Sequence, residues 1–312
     1  MRRIKPIVLE LLKNVSRKVF FLGDRVGIHI LPKHYYTPVP DYTWLAENRQ
    51  AWIGRSSMPG VHWDLDEQLG WLADICAPYY SEVGGLESFR NATSSGWGPG
   101  YGPIESQVLH CFVRRCAPAR VIEIGSGVST ACVLNAVGRN RREGRAESQI
   151  TCVEPYPSKM LLQLSGVTLL RQMSQTVPMG VFDQLAAGDL LFIDSTHAVK
   201  TGSDVMQLFL DILPRLARGV FVHIHDIYLP YVYPRNTMHR YFGWQETALL
   251  LALMVNNQKL KTLCCLSALH YDRTQQMRAL LPDYLPQAND EGLEPAPSAP
   301  GHFPSSLWLQ TA

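Results

Sequence analysis

Three titratable residues, His223, His225 and Asp226, close the most apolar run of the chain, "GVFVHIHD" at 219–226. Burying such groups without partners is costly, so the spacing calls for a ligand, a metal or water within reach. A second pair, Asp194 and His197, closes "DLLFIDSTH". A histidine has an unperturbed pKa near neutrality and can take the proton of an attacking nucleophile. A third group lies in "VIEIGSGVST", where Glu123 precedes Gly125, Ser126 and Gly127. The glycines let the backbone turn tightly and approach a ligand. The carboxylate suits a cationic or amino-bearing ligand better than a pyrophosphate. No glycine follows Gly127 at the third-glycine place, so no G-x-G-x-x-G can be drawn and a nicotinamide dinucleotide is disfavoured. Glu154 ends "QITCVEP", a place where an acid in a βαβ unit accepts ribose hydroxyls. Together these residues describe a nucleoside site without phosphates.

The elements that must position these groups read as βαβ units. The runs at 120–125, 149–155, 167–170, 189–194 and 219–226 are short and apolar, and segments such as "STACVLNAVGRN" and "SDVMQLFLDILPRL" between them carry helical spacing. That alternation predicts a parallel sheet covered on both faces. Ligands then bind beyond the carboxyl ends of the strands, where Asp194, His225 and Asp226 share one crevice with the glycine turn. His223, two residues earlier and on the same side, reads as a deeper core histidine. A helix at 244–258, a sixth strand at 260–266 and a second helix at 272–281 come next. The end, "SSLWLQ", reads as a last strand returning antiparallel, with a flap over one sheet edge at about 271–304.

Residues 1–100 are aromatic-rich, and we expect an N-terminal helical and irregular extension there, with the main domain over 101–312. The run "SSGWGPGYGP" predicts a mobile lid whose Trp97 and Tyr101 cover a cofactor. Pro103, with Glu105 just inside, marks a helix start. Among 312 residues the formal net charge of +2 gives nucleic acid no electrostatic support. The seven cysteines show no metal-ligand spacing and read as buried apolar groups in a reducing compartment, so a cytoplasmic address is expected. The apolar runs near the start are broken by Lys5, Glu10, Lys13, Arg17 and Lys18, so no transmembrane segment is expected. That region reads either as a helix packed on its own domain or as a basic amphipathic helix touching a membrane or another subunit.

The set "VIEIGSGVST", "ITCVEP" and "GDLLFIDSTH" resembles the successive motifs of the class I S-adenosylmethionine-dependent methyltransferases. "LLFIDSTHAVKTGSDV" and "LPRLARGVFVHIHDIYLPYVYP" resemble a bacterial branch of that class, and the likeness covers roughly 100–311. The resemblance implies a Rossmann-like α/β fold with a seven-stranded, mostly parallel sheet and an antiparallel last strand. It also implies S-adenosylmethionine as cofactor, with Glu123, Gly125, Ser126 and Gly127 at its methionine end, Glu154 at its ribose, and Asp194 and Tyr101 beside it.

The strand ends are further similar to those of the metal-dependent sugar and catechol O-methyltransferases. Asp194 and Asp226 match two metal-binding positions of those enzymes, and His197 matches the general base of the sugar-modifying branch. His225 stands where that branch has an acid, and Ile227 where the catechol enzymes place Asn. Magnesium prefers oxygen ligands, so an Asp194–His225–Asp226 set suits manganese, iron or zinc better. The alternative is no metal, with His225 sharing acid–base work with His197. The expected activity is methyl transfer to a hydroxyl or amine of a polar small molecule, such as a sugar or natural-product scaffold. The fold can equally host cyclisation of the cofactor or aminopropyl transfer, both releasing methylthioadenosine. A non-catalytic scaffold is disfavoured by the titratable strand ends, and a homo-oligomer is left open.

Overall fold

Each of the seven apolar runs forms a strand within two residues of the bounds its sequence suggests. In the computed structural model, which describes residues 6–33, 36–98, 100–145, 147–240, 243–288, 291–294 and 299–312, these are β1 (Arg120–Ile124), β2 (Gln149–Val153), β3 (Val167–Leu170), β4 (Leu190–Ile193), β5 (Phe221–His225), β6 (Leu260–Cys265) and β7 (Ser306–Thr311). They make one sheet of order β3-β2-β1-β4-β5-β7-β6. Strands β1 to β5 pair parallel, and β7 runs antiparallel between β5 and β6. The expected seven-stranded, mostly parallel sheet with an antiparallel last strand is therefore present.

The strands read as continuous apolar runs because both sheet faces are covered. All four residues of β4 are buried. On one face the helices Pro103–Cys116 and Val128–Arg142 deliver Ile104, Val108, Phe112, Cys132 and Val133. On the other face lie Val205, Leu208, Phe209, Leu250 and Met254. The first helix starts at Pro103, as the proline and Glu105 predict. The segment 203–216 departs from the single helix its spacing suggests. It is an α turn at Asp204–Gln207, a π stretch at Leu208–Ile212 and a 3-10 turn at Leu213–Arg215. Pro214 lacks an amide hydrogen and its ring crowds the carbonyl four residues back, so a regular ladder cannot run through it.

One cross-strand row spans the sheet from β2 to β7. Glu123 lies opposite Cys152 and Phe192, Phe192 opposite His223, and His223 opposite Trp308. His225 is two residues on, at the strand end, opposite Ser306.

The chain divides into two compact units. One comprises the described residues up to Trp52 with Arg240 and Gly243, and includes the helix Pro6–Arg25. The other comprises Ile53–His239 and Trp244–Ala312 and holds the sheet. The boundary expected near residue 100 thus falls inside the second unit. There the helix Leu65–Cys76 packs on Pro103–Cys116 and β6, with Trp71 5.6 Å from Trp308 and 6.3 Å from Phe112. Apolar spacing at Leu65, Leu69 and Leu72 explains this: those side chains need the core as much as the strands do. All seven cysteines are free thiols and only Cys116 is not fully buried. Among the described residues no helix is long and apolar enough to cross a membrane.

Candidate active site

Strand β1 sits where the order of the sheet reverses, with β2 on one side and β4 on the other. Chain crossovers leave in opposite directions there, which opens a crevice at the carboxyl ends. Gly125 has φ +85°, and a Cβ on it would lie 2.3 Å from the backbone oxygen of Asp194. Only glycine lets the turn seat against the end of β4. The Gly125 amide donates to the Val153 carbonyl at 3.0 Å and the Asp194 amide to that of Ile124 at 2.9 Å. The ends of β2, β1 and β4 are so tied into one rim.

Beneath that rim, Glu123 is 1% exposed. Its Oε2 accepts from the Thr130 hydroxyl at 2.7 Å and from the Cys152 thiol at 3.3 Å. The Gly127 amide donates to the Thr130 hydroxyl at 3.0 Å, which links the acid to the turn. Glu123 Oε1 is buried with no hydrogen-bond partner among the described residues. Burial pushes the carboxyl pKa up to about 7, against the hydrogen bonds from Ser129, Thr130 and Cys152. On the outer side of the turn, Ser126 Oγ lies 3.4 Å from Glu154 Oε2, and the Tyr156 amide donates to Glu154 Oε1 at 2.8 Å. The structure thus brings Glu123, Gly125, Ser126, Gly127 and Glu154 together around one turn.

His197, in the left-handed region at φ +58°, is held from two sides. Its Nδ1 donates to Glu246 Oε2 at 2.6 Å. Its Nε2 points to the strand ends, 3.4 Å from Asp194 Oδ1 and 3.8 Å from Asp226 Oδ2. The ring rests on Trp244, centroids 4.4 Å apart. Burial alone would pull the imidazolium down, but Glu246, Asp194 and Asp226 outweigh it and hold the pKa well above 6.5. His197 is therefore a stronger base than the ordinary imidazole that its sequence position suggests.

His225 is 5% exposed. Its Nε2 lies 3.7 Å from Asp226 Oδ1, and its buried Nδ1 has no partner among the described residues. Burial lowers its pKa, yet Asp226, Asp194 and Glu105 raise it overall. Asp226, at φ +54°, accepts the Ser305 hydroxyl at 2.8 Å. The Ser305 amide in turn donates to Glu105 Oε1 at 2.8 Å. His223 is a core residue: fully buried, stacked on Phe192 at 4.5 Å, and kept neutral by burial.

Tyr101 is no mobile lid aromatic. It is 2% exposed, its ring lies 4.9 Å from that of His225, and its hydroxyl is 3.2 Å from His223 Nε2. The apolar row of Phe192 and His223 offers the ring more buried area than a surface loop does. Of the glycine run around it, Pro99 lies outside the described residues. The arrangement of Asp194, His225 and Asp226 adds no support to the metal expectation. Among the described residues no three histidine, cysteine, aspartate or glutamate side chains converge to hold an ion. His197 Nε2 lies within 4 Å of both carboxylates, and Asp226 is already engaged by Ser305. The expected flap, of which 289–290 and 295–298 lie outside the described residues, sends Ser305 to the end of β5.

Three residues here escape sequence reasoning in their roles: Glu246, Glu105 and Ser305. Glu246 lies 49 positions from His197 and Ser305 79 from Asp226, so no local spacing announces them. Glu105 carries a helix-start signal that hides its bond to Ser305.

Residues 122–227 match a family profile described as "Methyltransferase domain". A curated protein of Archaeoglobus fulgidus, itself described as uncharacterized, is 26% identical over 197 residues, 58% of this chain and 87% of its own length. The solved structure of the SAH-bound Podospora anserina methyltransferase PaMTH1 aligns with 73% of this chain and 87% of its own, at 11% identity and a TM-score of 0.38. The sheet that reverses its strand order at β1 and takes its last strand back antiparallel therefore carries, over its β1–β5 segment, a match to a methyltransferase domain.

Proposed function

We propose that this methyltransferase methylates a hydroxyl of a polar small molecule, such as a sugar or a natural-product scaffold, with His197 as the general base. The observation that carries this reading is the Glu246–His197 pair. Glu246 holds Nδ1 at 2.6 Å and leaves Nε2 directed at the strand ends. An imidazole oriented at Nδ1, with its second nitrogen turned to the crevice between two carboxylates, is the arrangement that proton removal needs.

S-adenosylmethionine, when bound, supplies a methyl group on a sulfonium. Glu123 and the Gly125–Gly127 turn would take its methionine end, and Glu154 with Ser126 its ribose. The unpartnered Glu123 Oε1 gives a cationic amino group a waiting acceptor. His197 Nε2, once unprotonated, would take the proton of the acceptor hydroxyl as that oxygen receives the methyl group. Asp194 and Asp226 stand on either side to orient the acceptor and stabilise the imidazolium. An amine acceptor would attack with its own lone pair and depend less on His197.

Because the carboxylates hold His197 protonated, the rate is limited by its neutral fraction and rises with pH through a value above 6.5. Glu246→Gln removes the strongest of the opposing charges, so the acidic limb of the pH–rate profile moves to lower pH. Profiles of parent and variant at saturating cofactor test this, and an unmoved limb would overturn the base assignment. A second expectation concerns binding. Below about 7 Glu123 is neutral and cannot pair with an ammonium group; above it the pair forms. Affinity for S-adenosylmethionine therefore rises through neutrality, and Glu123→Gln flattens the rise, as calorimetric titrations at several pH values would record.

A further inference from the structure

We infer that the helix Pro6–Arg25 and the segment after it bind the surface of an anionic lipid bilayer. Val15, Val19, Leu22 and Val26 recur at three- and four-residue spacing and form one stripe. The sequence continues that register backward through Val8, Leu11 and Leu12. The stripe is open: Val15 is 51% exposed, Leu22 66% and Val26 70%. Ile28, Ile30 and Leu31 extend it beyond the helix, with Ile28 58% exposed. A contiguous apolar surface of this kind signals a partner.

Charge identifies the partner. Residues 1–33 hold eight lysines and arginines against two acids, a net +6, whereas the whole chain carries +2, so the remaining 279 residues carry −4. Asp24 pairs with His29 at 2.8 Å and Lys33 with Asp41 at 2.7 Å. Among the described residues Lys13, Arg17, Lys18 and Arg25 make no ion pair. A second copy of the helix would cover the stripe but bring like charges together. A nucleic acid would meet the charge and leave the stripe in water. An anionic bilayer satisfies both, with apolar side chains in the acyl boundary and basic ones at the headgroups. No described helix is long and apolar enough to cross, so the segment lies on the membrane.

The test is co-sedimentation of the full chain with vesicles of phosphatidylcholine alone and of phosphatidylcholine with about 30% phosphatidylglycerol. Binding is expected to the anionic vesicles only and to weaken with salt. Each basic residue near the surface contributes about 1 kcal/mol, about fivefold, so joint Lys13→Gln, Arg17→Gln and Lys18→Gln substitution should weaken partitioning roughly 100-fold. Val19→Glu with Leu22→Glu should abolish it. Unchanged thermal melting of these variants, whose altered side chains are largely exposed, separates lost binding from lost folding. Equal binding to both vesicles, no binding to either, or a dimer in solution that the Val19→Glu, Leu22→Glu protein loses would each overturn the inference.

Discussion

Replacing His197 with glutamine should lower turnover by about 10²–10⁴-fold, the usual contribution of a positioned general base. Affinity for S-adenosylmethionine should stay within a few-fold of the parent, because His197 faces Asp194 Oδ1 and Asp226 on the crevice side. Glutamine keeps a polar group against Glu246, and that carboxyl, whose pKa burial already raises, can take a proton and remain satisfied. The fold should therefore survive, and a melting curve alongside the kinetics checks it. A loss below tenfold with a hydroxyl acceptor would remove His197 from the chemistry. His225→Gln discriminates further: among the described residues its Nε2 makes an ion pair with Asp226 alone, at 3.7 Å, so its loss should cost less than that of His197.

The second large effect concerns stability. Trp308→Ala should destabilise the protein by about 3–5 kcal/mol, the range for a large aromatic removed from a core. Trp308 is fully buried, with ring centroids 4.4 Å from Phe112, 4.5 Å from His223 and 5.6 Å from Trp71. It joins the helix Leu65–Cys76, the helix Pro103–Cys116 and the row that ends at Glu123. Its indole nitrogen has no hydrogen-bond partner among the described residues, and removing that orphaned donor offsets part of the cavity cost. The lower half of the range is therefore expected. At about 2–4 °C per kcal/mol for a chain of this size, the melting temperature should fall by roughly 6–16 °C. A fall under 2 °C would mean that this face of the sheet is not a packed core.

The strands were legible because buried parallel strands must be short apolar runs, and "DLLFID" or "GVFVHIHD" admit few other readings. The glycine turn was legible for a local reason too: Gly125 needs φ +85° and must pass 2.3 Å from where a Cβ would meet Asp194. What the sequence hid is what the fold brings together from afar. His197 reads as an isolated imidazole of ordinary pKa, but Glu246, 49 residues on, holds its Nδ1 and pushes its pKa well up. Tyr101 sits in a glycine-rich run that reads as a mobile loop. Only the register of β4 and β5 creates the apolar seat at Phe192 and His223 that buries it. The partners of the strand-end groups were hidden for the same reason. Residue types at Asp194, His225 and Asp226 suit a transition metal, whereas their placement with His197 and Ser305 makes them partners for protons. Composition in the first hundred residues did not show that Leu72 and Ile75 belong to the core of the sheet unit.

The most direct test of methyl transfer is to incubate the purified full chain with S-adenosylmethionine, with and without a panel of hydroxylated and amine acceptors, and to identify the sulfur product by mass spectrometry. The expected products are S-adenosylhomocysteine and an O-methylated acceptor, formed only when an acceptor is present and undiminished by EDTA. Methylthioadenosine released without any acceptor would contradict this reading and assign the crevice to chemistry on the cofactor itself.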